Sequence, residues 1–285
     1  MPDAVRACVV IAAHNEAAVL HGTLARLVGG DGPSDLEVVV AANGCTDTTV
    51  EVVKAAPKVR LVEVPTAGKA NALNVAERHA TAYPRIYLDA DIGLSHQDLD
   101  RLCSALSDGA LLAVCPSRRF DLTGCSLLVR AYCAISQHLP AFERGLFGKG
   151  AIALSAEGRR RFTTFPAVIA DDLFLDSLFA PSEKAVLREV TVEVAAPRRA
   201  GDLLGRLERV RRGNRQLRAT KVAGTGGATT ARSLPMSWLA DVVLPRPWLA
   251  PAAVVYVSMT AVAELRARRN GVGRGWGQDR SRRGG

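Results

Sequence analysis

The chain has 285 residues, of which 48% are hydrophobic, 23% are charged and 5% are aromatic, and its formal net charge is +9. That apolar content can fill the core of one large domain or two modest ones. The positive charge favours anionic partners, but no aromatic residues are interleaved with the arginines, which excludes the stacking platform of a single-strand nucleic-acid binder.

The first half of the chain alternates apolar runs with amphipathic stretches. The predicted strands, in chain order, are ACVVIAA, DLEVVVAA, VRLVEV, RIYLDAD and ALLAVCP. The predicted helices between them are about 16–27, TTVEVVKAA, GKANALNVAERHA and SHQDLDRLCSAL, with Asn15, Thr46 or Asp47, and Ser95 as caps. This alternation predicts an α/β fold with a mostly parallel sheet and helices on both faces.

Polar clusters follow four of the predicted elements at their ends. They are His14-Asn15-Glu16, Asn43-Gly44, Gly68-Lys69 and Asp89-Ala90-Asp91. Because ligands of such sheets bind beyond the carboxyl ends of the strands, we expect these four segments to meet at one crevice.

Asp89 and Asp91 end the fourth predicted strand with a single residue between them. Alternate residues of a strand share a face, so both carboxylates would point the same way and repel each other. A hard divalent ion, Mg²⁺ or Mn²⁺, would relieve that repulsion. Helix capping or a surface ion pair would also account for the two residues.

The segment EVPTAGKA contains a Gly-Lys pair but does not match a P-loop. It lacks the upstream glycine and has Ala70 in place of Ser or Thr.

The pattern is looser after residue 116. GCSLLVRAYCAISQHL predicts a helix, GLFGKGAIALS a glycine-rich loop leading into a strand, and LLGRLERVRRGNRQLRAT a basic helix. FPAVIADDLFLDSLFA places a second acidic pair, Asp171 and Asp172, at a predicted strand-to-helix junction, where Asp171 is expected to cap the helix.

The C-terminal part contains an apolar segment, residues 247–263, after a predicted flexible break at AGTGGATTARS. The segment is shorter than the roughly 20 residues of a spanning helix, and Pro251 is predicted to interrupt it. A buried helix and an interfacial segment both fit, and the arginine-rich tail beside it suits anionic headgroups.

Location is predicted from the cysteines and from the first residues. Six cysteines without a CxxC motif indicate reduced thiols. The first residues lack the basic start and cleavage site of a signal peptide. We therefore expect a cytoplasmic protein, or one at the inner face of the plasma membrane.

Five motifs in this order and at these separations resemble a family 2 glycosyltransferase of the GT-A fold. The motifs are VVIAAHNE, EVVVAANGCTDTT, GKANALN, YLDAD and IADDLFL. The resemblance implies a GT-A domain over residues 1–222, with a donor half at 1–116 and an acceptor half at 117–222. Residues 223–285 would form a C-terminal extension, with the apolar segment and the basic tail. The implied chemistry uses a nucleotide-diphosphate-sugar donor, a divalent ion and inversion at the anomeric carbon.

The resemblance also assigns roles to single residues. It implies that Asp172 is the general base with Asp171 beside it, and that Asp91 and Asp89 bind Mg²⁺ or Mn²⁺. The implied donor-binding positions are Ala12, His14, Glu16, Asn43, Lys69, Asp89, Arg209 and Arg212.

Three positions depart from the family pattern. Ala12 replaces the usual proline of the first loop, and Ala42 replaces the aspartate that reads the base, which leaves the nucleobase open. Where the family has QxxRW, this chain has RLERV, with Val210 in place of the tryptophan that is common in processive members. The last departure favours transfer of a single sugar.

The leading hypothesis is therefore a glycosyltransferase of cell-envelope glycan or glycolipid synthesis. Its acceptor would be a glycan, a lipid-linked molecule or a small molecule, with peripheral contact to a membrane and no nucleic acid. Two alternatives remain open on the sequence alone: a sugar-phosphate nucleotidyltransferase, and a non-enzymatic basic protein that binds nucleic acid or membrane.

Overall fold

A computed structural model describes residues 6–29, 36–219 and 238–269. The strands are β1 Ala7–Ala13, β2 Leu36–Asn43, β3 Val59–Val64, β4 Arg85–Asp89, β5 Ala113–Asp121, β6 Ala151–Leu154 and β7 Lys184–Ala195. The helices are α1 Ala17–Val28, α2 Thr49–Ala55, α3 Lys69–Glu77, α4 His96–Ser104, α5 Leu127–Ser136, α6 Pro140–Arg144, α7 Ala156–Arg159, α8 Asp171–Ser177, α9 Ala200–Ala219 and α10 Ala250–Arg269.

The seven strands form one sheet in the order β3-β2-β1-β4-β6-β5-β7. β1 pairs in parallel with both β2 and β4, and β2 pairs in parallel with β3. β6 is antiparallel to β4 and β5. The carboxyl ends of β1, β2 and β4 therefore lie at the same edge of the sheet, as the sequence predicted. The α/β fold with a mostly parallel sheet is confirmed.

The central strands are apolar because both faces of the sheet are covered. Five of the seven β1 residues are less than 1% exposed, and the middle of β2 is equally buried. Burial raises the pKa of the Cys8 thiol on β1 to about 12, so this thiol stays protonated and acts as a small apolar side chain. All six cysteines lie in the described residues, and none forms a disulfide.

A buried charged cluster anchors the start of β4. Glu77 at the end of α3 accepts from Arg159 Nε (2.8 Å) and from the Tyr87 hydroxyl (2.9 Å). Arg85 Nε lies 3.3 Å from the same carboxylate, and Arg85 is only 2% exposed. Removing Glu77 would leave a buried guanidinium uncompensated, which is far more costly than losing a surface pair.

The chain divides into two compact units. The first contains residues 1–118, 148–167 and 179–192, and the second contains residues 119–147, 168–178 and 193–285. β5 and β7 each begin in the first unit and end in the second. The predicted division at residues 116 and 222 stays a prediction.

Several predicted elements differ from the structure. β4 ends at Asp89, so Asp91 lies in the following turn and the expectation that one strand face carries both carboxylates is wrong. α8 does not directly follow a strand, because residues 165–170 are a loop, so the predicted strand-to-helix junction is wrong. The sequence pattern did not predict β7, although exposed and buried residues alternate over EVTVEV near its end.

The C-terminal segment forms one continuous helix. Pro251 is the second residue of α10, where its missing N–H has no helical partner to lose, so the predicted interruption is wrong. The predicted break at residues 223–233 and the arginines beyond residue 269 lie outside the described residues.

Candidate active site

The turn after β1 is joined to the turn after β2. Asn15 has φ +53° and its Oδ1 accepts from the Thr46 N–H at 2.7 Å. The N–H groups at the start of α1 are satisfied by residues that follow β2. The N–H of the N-cap residue Glu16 donates to Oγ1 of Thr49, the first residue of α2 (2.8 Å), and the Ala17 N–H donates to Oδ2 of Asp47 in the loop (3.2 Å). The prediction that Asn15 caps α1 is therefore wrong, because residues of the next loop take that place.

Asn43 connects three polar segments while its side chain is completely buried. Its Nδ2 donates to the Ala13 carbonyl (2.7 Å), and its Oδ1 accepts from the Gly68 N–H (2.9 Å). His14 Nδ1 donates to the Asn43 carbonyl at 2.6 Å. Three of the four predicted segments thus meet at one edge of the sheet, and the Asn43 side chain binds protein backbone there.

Lys69 and Asp89 form an ion pair at the same edge. Lys69 is the first residue of α3, directly after Gly68, and its Nζ lies 2.8 Å from Asp89 Oδ1. The Asp89 N–H donates to the Gly150 carbonyl at 2.7 Å, which fixes the end of β4 against the loop before β6. Both side chains remain partly open to solvent, at 28% and 43% exposure, so a ligand can reach them.

Asp91 is exposed in the turn two residues beyond Asp89. Within residues 6–29, 36–219 and 238–269, no three His, Cys, Asp or Glu side chains form a complete metal site. The donor set still fits a divalent ion, because Mg²⁺ in nucleotide sites usually takes one or two carboxylates and obtains its other ligands from phosphates and water.

The second acidic pair opens α8, in the second compact unit. Asp171 and Asp172 are half-buried in its first turn, and Asp172 Oδ1 accepts from the Leu173 N–H at 2.7 Å. The N-cap is Ala170, with no side-chain cap, so the prediction that Asp171 caps the helix is wrong. Both carboxylates nevertheless lie at the positive end of the helix dipole, which stabilises negative charge.

The basic helix α9 packs against the loop that leads into this pair. Gly213 of α9 is so close to the loop that a Cβ on it would lie 3.1 Å from Ile169 Cβ and 3.3 Å from Ala170 Cβ. Arg212, the preceding residue, is paired with Glu208 at 3.3 Å, and Arg209 is half-buried on the same helix. Within the second unit, the structure therefore brings α9 next to the acidic pair of α8.

The family comparison decides what this architecture is. The model of the family described as glycosyl transferase family 2 matches residues 8–159, more than half of the chain. The chain belongs to glycosyl transferase family 2. Membership selects the glycosyltransferase among the three functions that the sequence left open. A search of curated protein sequences gives no match.

Solved glycosyltransferases share the fold. A mannosyltransferase from Pyrobaculum calidifontis, in complex with GDP-Man and Mn²⁺, is 23% identical with a TM-score of 0.62, and the match covers 94% of this chain and 81% of that one. Glucosyl-3-phosphoglycerate synthase from Mycobacterium tuberculosis, with Mn²⁺, UDP and glucosyl-3-phosphoglycerate, is 23% identical with a TM-score of 0.54 over 78% and 80%. TarS 1-349 from S. aureus, with UDP-GlcNAc, is 14% identical with a TM-score of 0.51 over 93% and 92%. These likenesses confirm the GT-A fold.

Sequence reasoning missed two basic residues of this glycosyltransferase. Lys149 is only 1% exposed and lies between Gly148 and Gly150, in the loop that receives the Asp89 N–H. Arg118 Nη1 donates to the Gly148 carbonyl at 3.0 Å and fixes the same loop. The signal in the sequence that marks this loop is a lysine between two glycines before an apolar strand.

Proposed function

We propose that this glycosyltransferase moves a single sugar from a nucleoside diphosphate to an acceptor hydroxyl, with inversion at the anomeric carbon. The observation that carries the proposal is the Lys69–Asp89 pair at the carboxyl end of β4. It places a cation and a carboxylate side by side at the sheet edge where α/β proteins bind nucleotides. A diphosphate and its counter-ion need both charges.

The turns around that pair are the proposed binding elements for the donor. Ala12, His14 and Glu16 lie in or next to the turn after β1, where the nucleoside would bind. Asn43 would act by holding the turns in place, since its amide is already bonded to Ala13 and Gly68. In the second unit, Arg209 and Arg212 are proposed diphosphate ligands, because the leaving nucleoside diphosphate gathers negative charge that arginine stabilises.

Asp91 and Asp89 are the proposed ligands of Mg²⁺ or Mn²⁺. When bound, such an ion neutralises charge on the departing diphosphate. Lys69 orients the Asp89 carboxylate through its 2.8 Å contact, and the Gly150 carbonyl holds the Asp89 backbone. The Asp89 carboxylate would thus be positioned before the donor arrives, with Asp91 in the turn two residues further on.

Asp172 is the proposed general base. An acceptor hydroxyl is a poor nucleophile at neutral pH, and a positioned carboxylate removes its proton as it attacks. The oxygen–carbon bond to the acceptor forms while the bond to the diphosphate breaks, and the negative charge passes to the diphosphate. The hydrogen bond from the Leu173 N–H orients the Asp172 carboxylate, and Asp171 shares the first turn of α8.

The acceptor is proposed to be a glycan, a lipid-linked molecule or a small molecule of cell-envelope synthesis, glycosylated at the cytoplasmic face of the plasma membrane. Support comes from the exposed apolar residues and arginines of the C-terminal helix.

Thermal unfolding with nucleotides tests the donor site. The protein is melted with UDP, GDP, dTDP and their sugars, each with and without Mn²⁺, as wild type and as Asp91→Asn. A ligand at about 100 times its Kd stabilises the native state by about 2.7 kcal/mol. We expect one nucleotide to raise the Tm only with Mn²⁺, and Asp91→Asn to lose that rise. An unchanged rise in the variant would contradict the metal assignment.

Asp172→Asn separates binding from chemistry in the same experiment. It should keep the nucleotide-induced rise in Tm and lose transfer by roughly 100-fold or more, the usual contribution of a general base. Asp202→Asn is the matched control, since Asp202 is also an aspartate in the first turn of a helix. Equal transfer by Asp172→Asn and Asp202→Asn would show that another group takes the proton.

A further inference from the structure

The helix α10 has apolar side chains on two opposite faces. Its inner face contains Ala253, Met259, Ala263 and Ala267, which are buried against the rest of the second unit. Its outer face contains Val254, Val257, Ala261 and Leu265, and Val254 and Leu265 are 67% and 57% exposed. The spacing of these outer residues aligns them along one side of the helix, and we call them the outer stripe. An outward face is normally polar, so the outer stripe lacks the character of a surface in contact with water.

The ends of the outer stripe carry residues suited to a bilayer surface. Trp248, in the 3₁₀ turn before α10, is 71% exposed, and Arg246 lies two residues before it. The last turn of α10 contains Arg266, Arg268 and Arg269. Tryptophan is preferred where apolar and polar regions of a membrane meet, and arginine clusters attract anionic headgroups.

The inner contacts determine how α10 can lie in a membrane. Residues Pro247–Arg269 are long and apolar enough to span a bilayer by length and composition. However, the inner face packs on α5 and α9, and Glu264 is paired with Arg211 (3.6 Å) and Arg215 (3.9 Å) of α9. Spanning would break these pairs or carry the charges of α9 into hydrocarbon, which is costly. A helix that keeps its inner contacts can only lie flat on the surface.

We infer that the outer stripe of α10 docks this protein on an anionic phospholipid bilayer, with the helix parallel to the membrane plane. Charge selects this occupant. Two copies of a chain of charge +9 repel each other, whereas an anionic surface attracts the arginines at both ends of the stripe. The inference rests on the membrane location proposed above and specifies how the protein binds there. It uses no residue of the proposed donor site, so its failure can be distinguished from a failure of the proposed chemistry.

Sedimentation with vesicles tests the docking surface. The full chain is mixed with vesicles of phosphatidylcholine, or of phosphatidylcholine with phosphatidylglycerol, at low and high salt. We expect binding to the anionic vesicles, weakened by salt because exposed charges are screened. The variant Val254→Ser/Leu265→Ser should bind roughly tenfold more weakly, since it loses two apolar side chains from the membrane contact. Val210→Ser, at an exposed valine of α9, should bind like wild type.

Three results would overturn the inference. Equal binding to both kinds of vesicle, without a salt effect, would show that the arginines do not bind anionic headgroups. Wild-type protein that resists extraction from vesicles by alkaline carbonate would indicate a spanning helix. A dimer in sedimentation velocity that Val254→Ser/Leu265→Ser abolishes, without vesicle binding, would show that a second copy covers the stripe. The salt dependence of the wild type needs no variant, so a folding defect cannot obscure the result.

Discussion

The turns after β1 and β2 are held together by different forces from those that hold the helices of the second unit. At the ends of β1 and β2, side chains such as Asn15 and Asn43 bond to backbone groups of distant turns. In the second unit, α5, α9 and α10 pack through apolar side chains, and Val129, Leu203 and Met259 belong to one buried cluster. Directional hydrogen bonds fix atoms to fractions of an ångström, whereas apolar packing tolerates swaps of similar volume. Substitutions at the turns should therefore damage the protein more than substitutions on the helices.

Gly150→Ala should have the largest effect. Gly150 has φ +70°, and a Cβ there would overlap the buried Ile92 side chain and lie 3.2 Å from Asp89 Oδ2. Overpacking and left-handed strain together should lower the free energy of unfolding by roughly 2–4 kcal/mol. The displaced carboxylate should also weaken the nucleotide-induced rise in Tm. Urea unfolding and the melting experiment measure the two effects.

Gly109→Ala is the matched control for that variant. Gly109 has φ +75°, but nothing lies within 4 Å of its added Cβ. The free energy of unfolding should therefore fall only by the cost of left-handed strain, roughly 1–2 kcal/mol, and the nucleotide-induced rise in Tm should be kept. If both variants lose the same stability, the contact with Ile92 and Asp89 contributes nothing, and the comparison between turns and helices loses its main support.

Gly213→Val should have a smaller effect on stability and a specific effect on transfer. Its added atoms meet Ile169 and Ala170, directly before the acidic pair of α8. We expect a loss of roughly 1–3 kcal/mol and slower transfer, because the loop must shift. Gly205→Val, on the same helix with nothing within 4 Å, should stay within about 0.5 kcal/mol of wild type. Equal transfer by both variants would show that α9 does not position α8.

The same contrast explains what the sequence could predict. Signals that lie within one element were read correctly: apolar runs gave the central strands, and Ser95 caps α4 in a capping box with Asp98. The Asn15 cap was wrong because the atoms that satisfy α1 come from the loop after β2. Contacts between residues distant in the chain leave no local sequence pattern. For the same reason, the bonds from the Asn43 side chain to Ala13 and Gly68 could not be predicted.

The acidic residues of the candidate site show a second limit. Their positions at element ends were predicted, but the strand face shared by Asp89 and Asp91 was not, because a strand end is set by pairing with its neighbour. β4 stops pairing with β1 at Asp89. The second unit was predicted least completely, since β7 begins with KAVLREV, in which apolar and charged residues do not alternate strictly, and short helices such as α6 have no periodicity to detect.

Glu264→Gln should have the smallest effect, and it depends on pH. The hydrogen bond from Arg268, followed by the charges of Arg215 and Arg211, lowers the pKa of Glu264 below its ordinary value of 4.5. A carboxylate with a lowered folded-state pKa stabilises the protein above its unfolded-state pKa, and this stabilisation disappears as the pH falls through the folded-state value. Because the pairs are partly exposed, the variant should lose at most about 1 kcal/mol at pH 7. The difference in Tm from wild type should vanish in acid.

Glu189→Gln is the control. Glu189 is an exposed carboxylate for which the described residues offer no ion pair, and the variant should match wild type at both pH values. A deficit of Glu264→Gln that persists in acid would mean that the lost stability does not come from the charge of the carboxylate, and the ion pairs would then contribute nothing to holding α9 against α10.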